Sequence, residues 1–135
     1  MRNVLGFEDA DHEETSPGAE RLAVTALACS LVGQRGSISI STGSRAAELY
    51  GAVEVTESFY CSFGVDPEHA RLLERGGLCV TGVSLDGAVR IVELPNHPFF
   101  LATLFIPQVR STQAEPHPLV AGFVSAARDH ALAAD

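Results

Sequence analysis

Three cysteines, five histidines and seventeen carboxylates are the groups with which these 135 residues could carry out covalent or acid–base chemistry. Cys29, Cys61 and Cys79 are odd in number, widely spaced and free of any CxxC pair, so neither a disulfide framework nor a structural zinc site is expected. Cys61 invites a nucleophilic reading, yet a reactive thiolate needs a cationic neighbour or a helix N-terminus. Its flanks, Ser58-Phe59-Tyr60 and Ser62-Phe63-Gly64, supply neither, and a packed structural thiol is the simpler reading. His97 and His117 each stand before a proline, where turn histidines are common; as bases, or with His12 as metal ligands, they would need partners the sequence does not place nearby. Asp9, Asp11, Glu13 and Glu14 crowd around His12, but a short acidic loop is normally only hydrated. No metal and no cofactor are expected.

Charge narrows the field further. The nine basic residues are all arginine, and the net charge is −8, which argues against a nucleic-acid or anionic-membrane surface because phosphate binding needs clustered Lys and Arg. The first residues, MRNVLGFEDADHEE, lack a basic region followed by an apolar one, and no apolar run approaches the ~18–20 residues that span a bilayer. A cytoplasmic protein is expected. With 46% hydrophobic and 19% charged residues, the chain has the composition of one packed domain.

The elements that must position these groups follow from local signals. Residues 7–20 are acidic and carry Pro17 and Gly18 without a sustained apolar period, which predicts a solvated loop; with the residues around it, 1–24 is read as an acidic leader and 25–135 as the folded domain. The apolar stretch 21–32 predicts a strand, and the strict alternation Ser37-Ile38-Ser39-Ile40-Ser41 a half-exposed one. Ser44 can cap a short helix that Gly51 ends, giving helix 44–50. A β-branched and aromatic run, 53–65, predicts one strand ending near Phe63. Asp66-Pro67-Glu68 then starts a helix over 67–75 that stops at Gly76-Gly77. Runs 78–84 and 88–94 form a hairpin through Asp86-Gly87. The run Phe99–Phe105, between two prolines, reads as a central strand covered on both faces. From Pro118 a final helix carries Leu119, Val120, Phe123, Val124 and Ala127 as a stripe for docking on the sheet.

Gly82 to Phe105, GVSLDGAVRIVELPNHPFFLATLF, contains S-x-D-G and then E-x-x-x-H-P-F-F. Upstream lie LACSLVGQRGSISISTGSRAAELYG and EVTESFYCSFGVDPEHARLLERGGLCVTG, and downstream PHPLVAGFVSAA. In this order the segments resemble the C-terminal part of the glutamine amidotransferase domain of the CTP synthase family over about residues 25–128. The resemblance implies an α/β fold: the C-terminal part of a flavodoxin-like class I glutamine amidotransferase domain, a mixed sheet with mostly parallel strands flanked by helices.

Members of that family hydrolyse glutamine with a Cys in a G-x-C-x-G-x-Q elbow, a His base and a Glu that orients it, the usual logic of a covalent hydrolase. The resemblance puts Ile106 at the base position and Gln108 at the acid position of Q-F-H-P-E, here Leu104-Phe105-Ile106-Pro107-Gln108. Neither side chain titrates, so general-base activation worth roughly 10²–10⁴-fold is not expected. The family's basic R-H-R-H-R-Y run, part of which holds glutamine, aligns with Ser58 to Phe63, placing Ser58, Tyr60 and Ser62 at substrate-binding positions without a guanidinium. No elbow motif occurs in these residues.

RNVLG and the acidic stretch after it look like the region following the elbow helix in small free-standing relatives, which implies that Met1 lies inside the domain. Sheet edges and apolar faces would then need a protein partner or self-association. Three functional readings follow: an amidotransferase-like binding, regulatory or structural module; an amide-, amine- or ester-directed enzyme whose nucleophile lies upstream of Met1 or on a partner chain; or a non-functional remnant. CTP synthesis by this chain alone is not expected, because the family carries its ATP and UTP sites in a separate N-terminal synthetase domain.

Overall fold

The three longest helices start at capping side chains, Ser44, Asp66 and His117, in the computed structural model, which describes residues 1–133; the end of the 25–135 assignment, residues 134 and 135, lies outside them. Helix α1 is the single turn Arg2–Leu5, and strands β1 (Ala10–His12) and β2 (Arg21–Ala26) follow it. Strand β3 (Gln34–Ile40) leads to α2 (Arg45–Tyr50), where the Ser44 side chain accepts from the Ala47 amide and Gly51 closes the helix at φ 65°, a conformation only glycine adopts cheaply. Strands β4 (Glu54–Phe59) and β5 (Phe63–Val65) precede α3 (Pro67–Arg75), capped by Asp66 through the Glu68 amide. Then come β6 (Cys79–Ser84), β7 (Val89–Glu93), β8 (Leu101–Thr103), a 3-10 turn (Pro107–Arg110) and α4 (Pro118–Leu132).

Two sheets result, one ordered β4-β3-β6-β7-β8 and one ordered β1-β2-β5. The class is mixed α/β, as expected, but the five-stranded sheet is antiparallel throughout, and among the described strands only β1 and β2 pair in parallel. The expected hairpin of 78–84 and 88–94 forms, its turn closed by the Gly87 amide donating to the Ser84 carbonyl at 2.8 Å. Ile38, Ile40, Phe59 and Ile91 from the sheet and Phe105 just beyond β8 meet Ala46 of α2 and Leu119 of α4 in the core. Helices α2 and α4 approach closely at Gly122, where an added Cβ would lie 2.5 Å from Leu49. No helix among the described residues is long and apolar enough to cross a membrane.

Four expectations are corrected. Residues 1–24 are more than a leader: Ala10 is buried, β1 pairs with β2, and the proposed boundary at 24/25 falls inside β2. The run 53–65 is two strands in different sheets, broken at Tyr60–Ser62 without a Gly or Pro to announce it. The apolar run Phe99–Phe105 holds an edge strand of three residues, not a central one, because β8 pairs with β7 alone. In α4 the stripe docks only at its start: Leu119 is buried, whereas Phe123 and Val124 are 56% and 60% exposed.

Candidate functional site

Beyond β8 the chain bends over the end of the sheet, with the Phe105 ring buried edge-on to Phe59 at 6.5 Å between centroids. Ile106, 44% exposed, and Gln108 then line a groove of about 760 Å³ with Phe99, Leu119, Phe123 and Val124. None of the residues lining this groove is titratable. Its Thr103 hydroxyl is spent on the Phe105 carbonyl at 2.8 Å, and the Gln108 carboxamide has no hydrogen-bond partner among the described residues. Such a surface can host an apolar group or a covering side chain, but it has no group to move a proton. Ile106 and Gln108 are thus brought together. Ser58, Tyr60 and Ser62 line no part of the groove; Tyr60 is exposed and the Ser62 hydroxyl bonds that of Ser30 at 2.8 Å.

A histidine and a glutamate do meet elsewhere. His117 and Glu57, each 2% exposed, are joined from Nε2 to Oε1 at 3.0 Å. His117 Nδ1 accepts the Leu119 amide at 3.2 Å as the cap of α4, so the neutral ring carries its proton on Nε2 and donates it to Glu57. Glu57 Oε1 also accepts from the Tyr50 hydroxyl at 2.8 Å and from Arg110 Nη2 at 3.2 Å. The Tyr50 oxygen also lies 3.4 Å from His117 Nε2 as a second acceptor for the ring's proton, and the two rings meet edge-on at 5.5 Å between centroids. Burial, reinforced by the Glu57 carboxylate, raises the Tyr50 phenol far above its ordinary range and keeps it protonated. Both ring nitrogens of His117 are occupied and the ring is enclosed, so this pair fastens α4 and the 3-10 turn to β4 and α2. The sequence reading of His117 as a turn histidine captured its place but not its partner, 60 residues away.

A second buried carboxylate, Glu93, caps α2 from β7: it accepts from the Arg45 and Ala46 amides at 3.0 and 2.9 Å and from the Thr81 hydroxyl at 2.9 Å. A carboxylate there complements the free amides and positive end of the helix. Arg45 in turn donates to the Pro98 carbonyl at 2.8 Å, and His97 Nδ1 accepts the Phe99 amide, so the Asn96–Phe100 turn that leads into β8 is held from both sides. The glutamate of E-x-x-x-H-P-F-F could have been suspected of this role, but only the fold shows which amides it meets.

The acidic residues near the N-terminus are also employed locally. Asp9 pairs with Arg21 at 3.1 Å, Asp11 with Arg2 at 3.1 Å, and Glu13 accepts the Ala26 amide. No set of three His, Cys, Asp or Glu among the described residues is arranged to hold a metal ion. Cys29, Cys61 and Cys79 are all free, and the Cys61 sulfur accepts the Phe63 amide.

Comparison with known proteins places this architecture. No family model matches the chain. The structure superposes on the Trypanosoma brucei CTPS glutaminase domain with bound acivicin at a TM-score of 0.85, with 27% identity over 94% of this chain and 54% of that one. The fold is therefore that of a glutamine amidotransferase-type α/β domain. CTP synthases of Sulfurisphaera tokodaii and Bifidobacterium longum are each 36% identical to it, over 93% and 98% of this chain. The chain belongs to the CTP synthase-related amidotransferase-like proteins, matching the C-terminal part of that domain. It spans about a quarter of the length of these curated relatives, 25% and 27%.

Proposed function

We propose that this chain is an amidotransferase-like module that does not hydrolyse glutamine by itself and serves as a binding or structural part of a larger assembly. The observation that carries this reading is the groove at Ile106 and Gln108, whose lining offers no base, acid or nucleophile. The resemblance that sets Ile106 and Gln108 at the family's base and acid positions supports it, as does the absence of an elbow motif from these residues. CTP synthesis is not assigned to it. A reducing, cytoplasmic setting fits the three free thiols, two of them exposed.

The groove and the free edge of β8 are covered, in this reading, by a polypeptide that supplies the part of the amidotransferase domain this chain does not span. Its support is the 54% share of the matched glutaminase domain together with an apolar α4 face, Phe123 and Val124, that stays more than half exposed even though Phe123 meets the Phe99 ring. The test is ammonia release from glutamine by the purified chain. No release above a blank is expected; release well above it would overturn the reading in favour of an enzyme. Sedimentation over a concentration series addresses the occupant. A monomer is expected, and a dimer that Phe123→Asp abolishes would assign the groove to a second copy instead.

A further inference from the structure

Arg90, on β7, is 3% exposed and has no carboxylate within ion-pair distance among the described residues. Its Nε donates to the Ser84 hydroxyl at 2.9 Å, and its guanidinium carbon lies 5.0 Å over the centre of the Phe59 ring. The two Nη groups find no acceptor among the described residues. They are not sealed in, because the one fully enclosed side-chain nitrogen or oxygen without a partner among the described residues is His69 Nδ1. Arg90 lines an open depression of about 210 Å³ between β3, β4 and the β6–β7 turn, together with Gln34, Arg35, Gly36, Phe59, Ser84 and Asp86. Buried cations are normally paired, and leaving one without an anion is costly.

We propose that this cavity is a binding site for a small carboxylate monoanion, held by the Nη edge of Arg90. With Nε engaged by Ser84, the two Nη groups present the forked donor edge that matches the two oxygens of a carboxylate. The Phe59 ring forms one wall and holds the guanidinium plane in place. Space for about seven waters, at ~30 Å³ each, admits a small acid. Two further charges line the cavity, Arg35 and Asp86, both exposed and opposite in sign, so Arg90 is left as its net charge and a monoanion balances it. Asp86 Oδ1 accepts from the Ser84 hydroxyl at 2.6 Å and from the Ala88 amide at 3.3 Å. These bonds, the serine's first, keep the Asp86 carboxyl below its usual range and ionised, so it opposes a dianion such as phosphate about twice as strongly as a monoanion. No residue lines both this cavity and the groove at Ile106; Phe59 of the first meets Phe105 of the second edge-on, so the acetate titration and the glutaminase assay read adjoining but different surfaces.

The test is an NMR titration of the whole chain with sodium acetate, with sodium chloride at matched ionic strength and sodium phosphate as the other arms. Saturable shifts at Gly36, Phe59, Ser84 and Arg90 with acetate, and not with chloride, are expected. Arg90→Gln should weaken acetate by roughly tenfold or more, the loss of a charge-assisted pair. Asp86→Asn, on the exposed turn, should tighten it by up to about fivefold, one unit charge at a few Å in a water-like dielectric. Equal shifts with chloride, no saturation, or an Asp86→Asn chain that binds acetate no better would overturn the site. Phosphate binding tighter than acetate would overturn its assignment to a monoanion.

Discussion

Along the 15 residues of α4, the first turn and the remainder of the helix sit in opposite surroundings. At its start His117 is enclosed and bonded through both ring nitrogens, and Leu119 enters the core; further on, Phe123 and Val124 face an open groove beside Ile106. The polar groups best suited by type to catalysis are those whose bonding capacity is already used for architecture. The surface where the resemblance places the relatives' chemistry is, in this chain, an apolar groove lined by no titratable group. Glu57 and Glu93 show the same division, since each carboxylate is buried against donors from three other residues.

That contrast can be broken most decisively at Glu57. Glu57→Ala leaves the His117 N–H and the Tyr50 hydroxyl enclosed without an acceptor, and a loss of about 3–5 kcal/mol is expected from urea unfolding at unchanged m-value. A loss below about 1 kcal/mol would show that the cluster does not fasten α4. Glu93→Ala, which uncaps α2 and strands Thr81, should cost about 1–3 kcal/mol in the same measurement. Tyr50→Phe removes one bond to Glu57 and should cost about 1 kcal/mol near neutral pH. It also carries a pH signature. The unfolded phenol ionises near its ordinary value of 10.0 while the folded one stays protonated, so above that pH the unfolded state binds fewer protons. Stability of the natural chain therefore falls as pH rises past that value, and Tyr50→Phe should fall less steeply. The smallest effect belongs to the groove: Phe123→Asp with Val124→Asp should shift the unfolding free energy by no more than about 0.5 kcal/mol each. A much larger loss would mean that the isolated chain already buries this face.

How much of this was legible beforehand depended on the range of the signal. Ser44, Gly51, Asp66-Pro67 and Asp86-Gly87 act on neighbours in the chain, and the helices and hairpin they announce are where they were expected. Phe99–Phe105 was misjudged because apolar composition records that a run avoids water in some assembly, not which faces this chain covers by itself. The same ambiguity misled the reading of α4, whose stripe is real but mostly undocked. Tyr60–Ser62 breaks a strand with residues that favour strands, a case of tertiary context overriding propensity. Glu57 and His117 had no local signal at all, since a contact across 60 residues exists only once the sheet has formed.

The brevity of β8 has a consequence for solubility. Leu101–Thr103 offers only about 10 Å of free edge, at ~3.3 Å per residue, so a strand added there gains few main-chain bonds. An incomplete sheet with a long bare margin would template endless stacking of copies. At β8 the margin is clipped; the opposite margin is the longer β4, where Arg110 already occupies the Thr56 carbonyl at 3.1 Å.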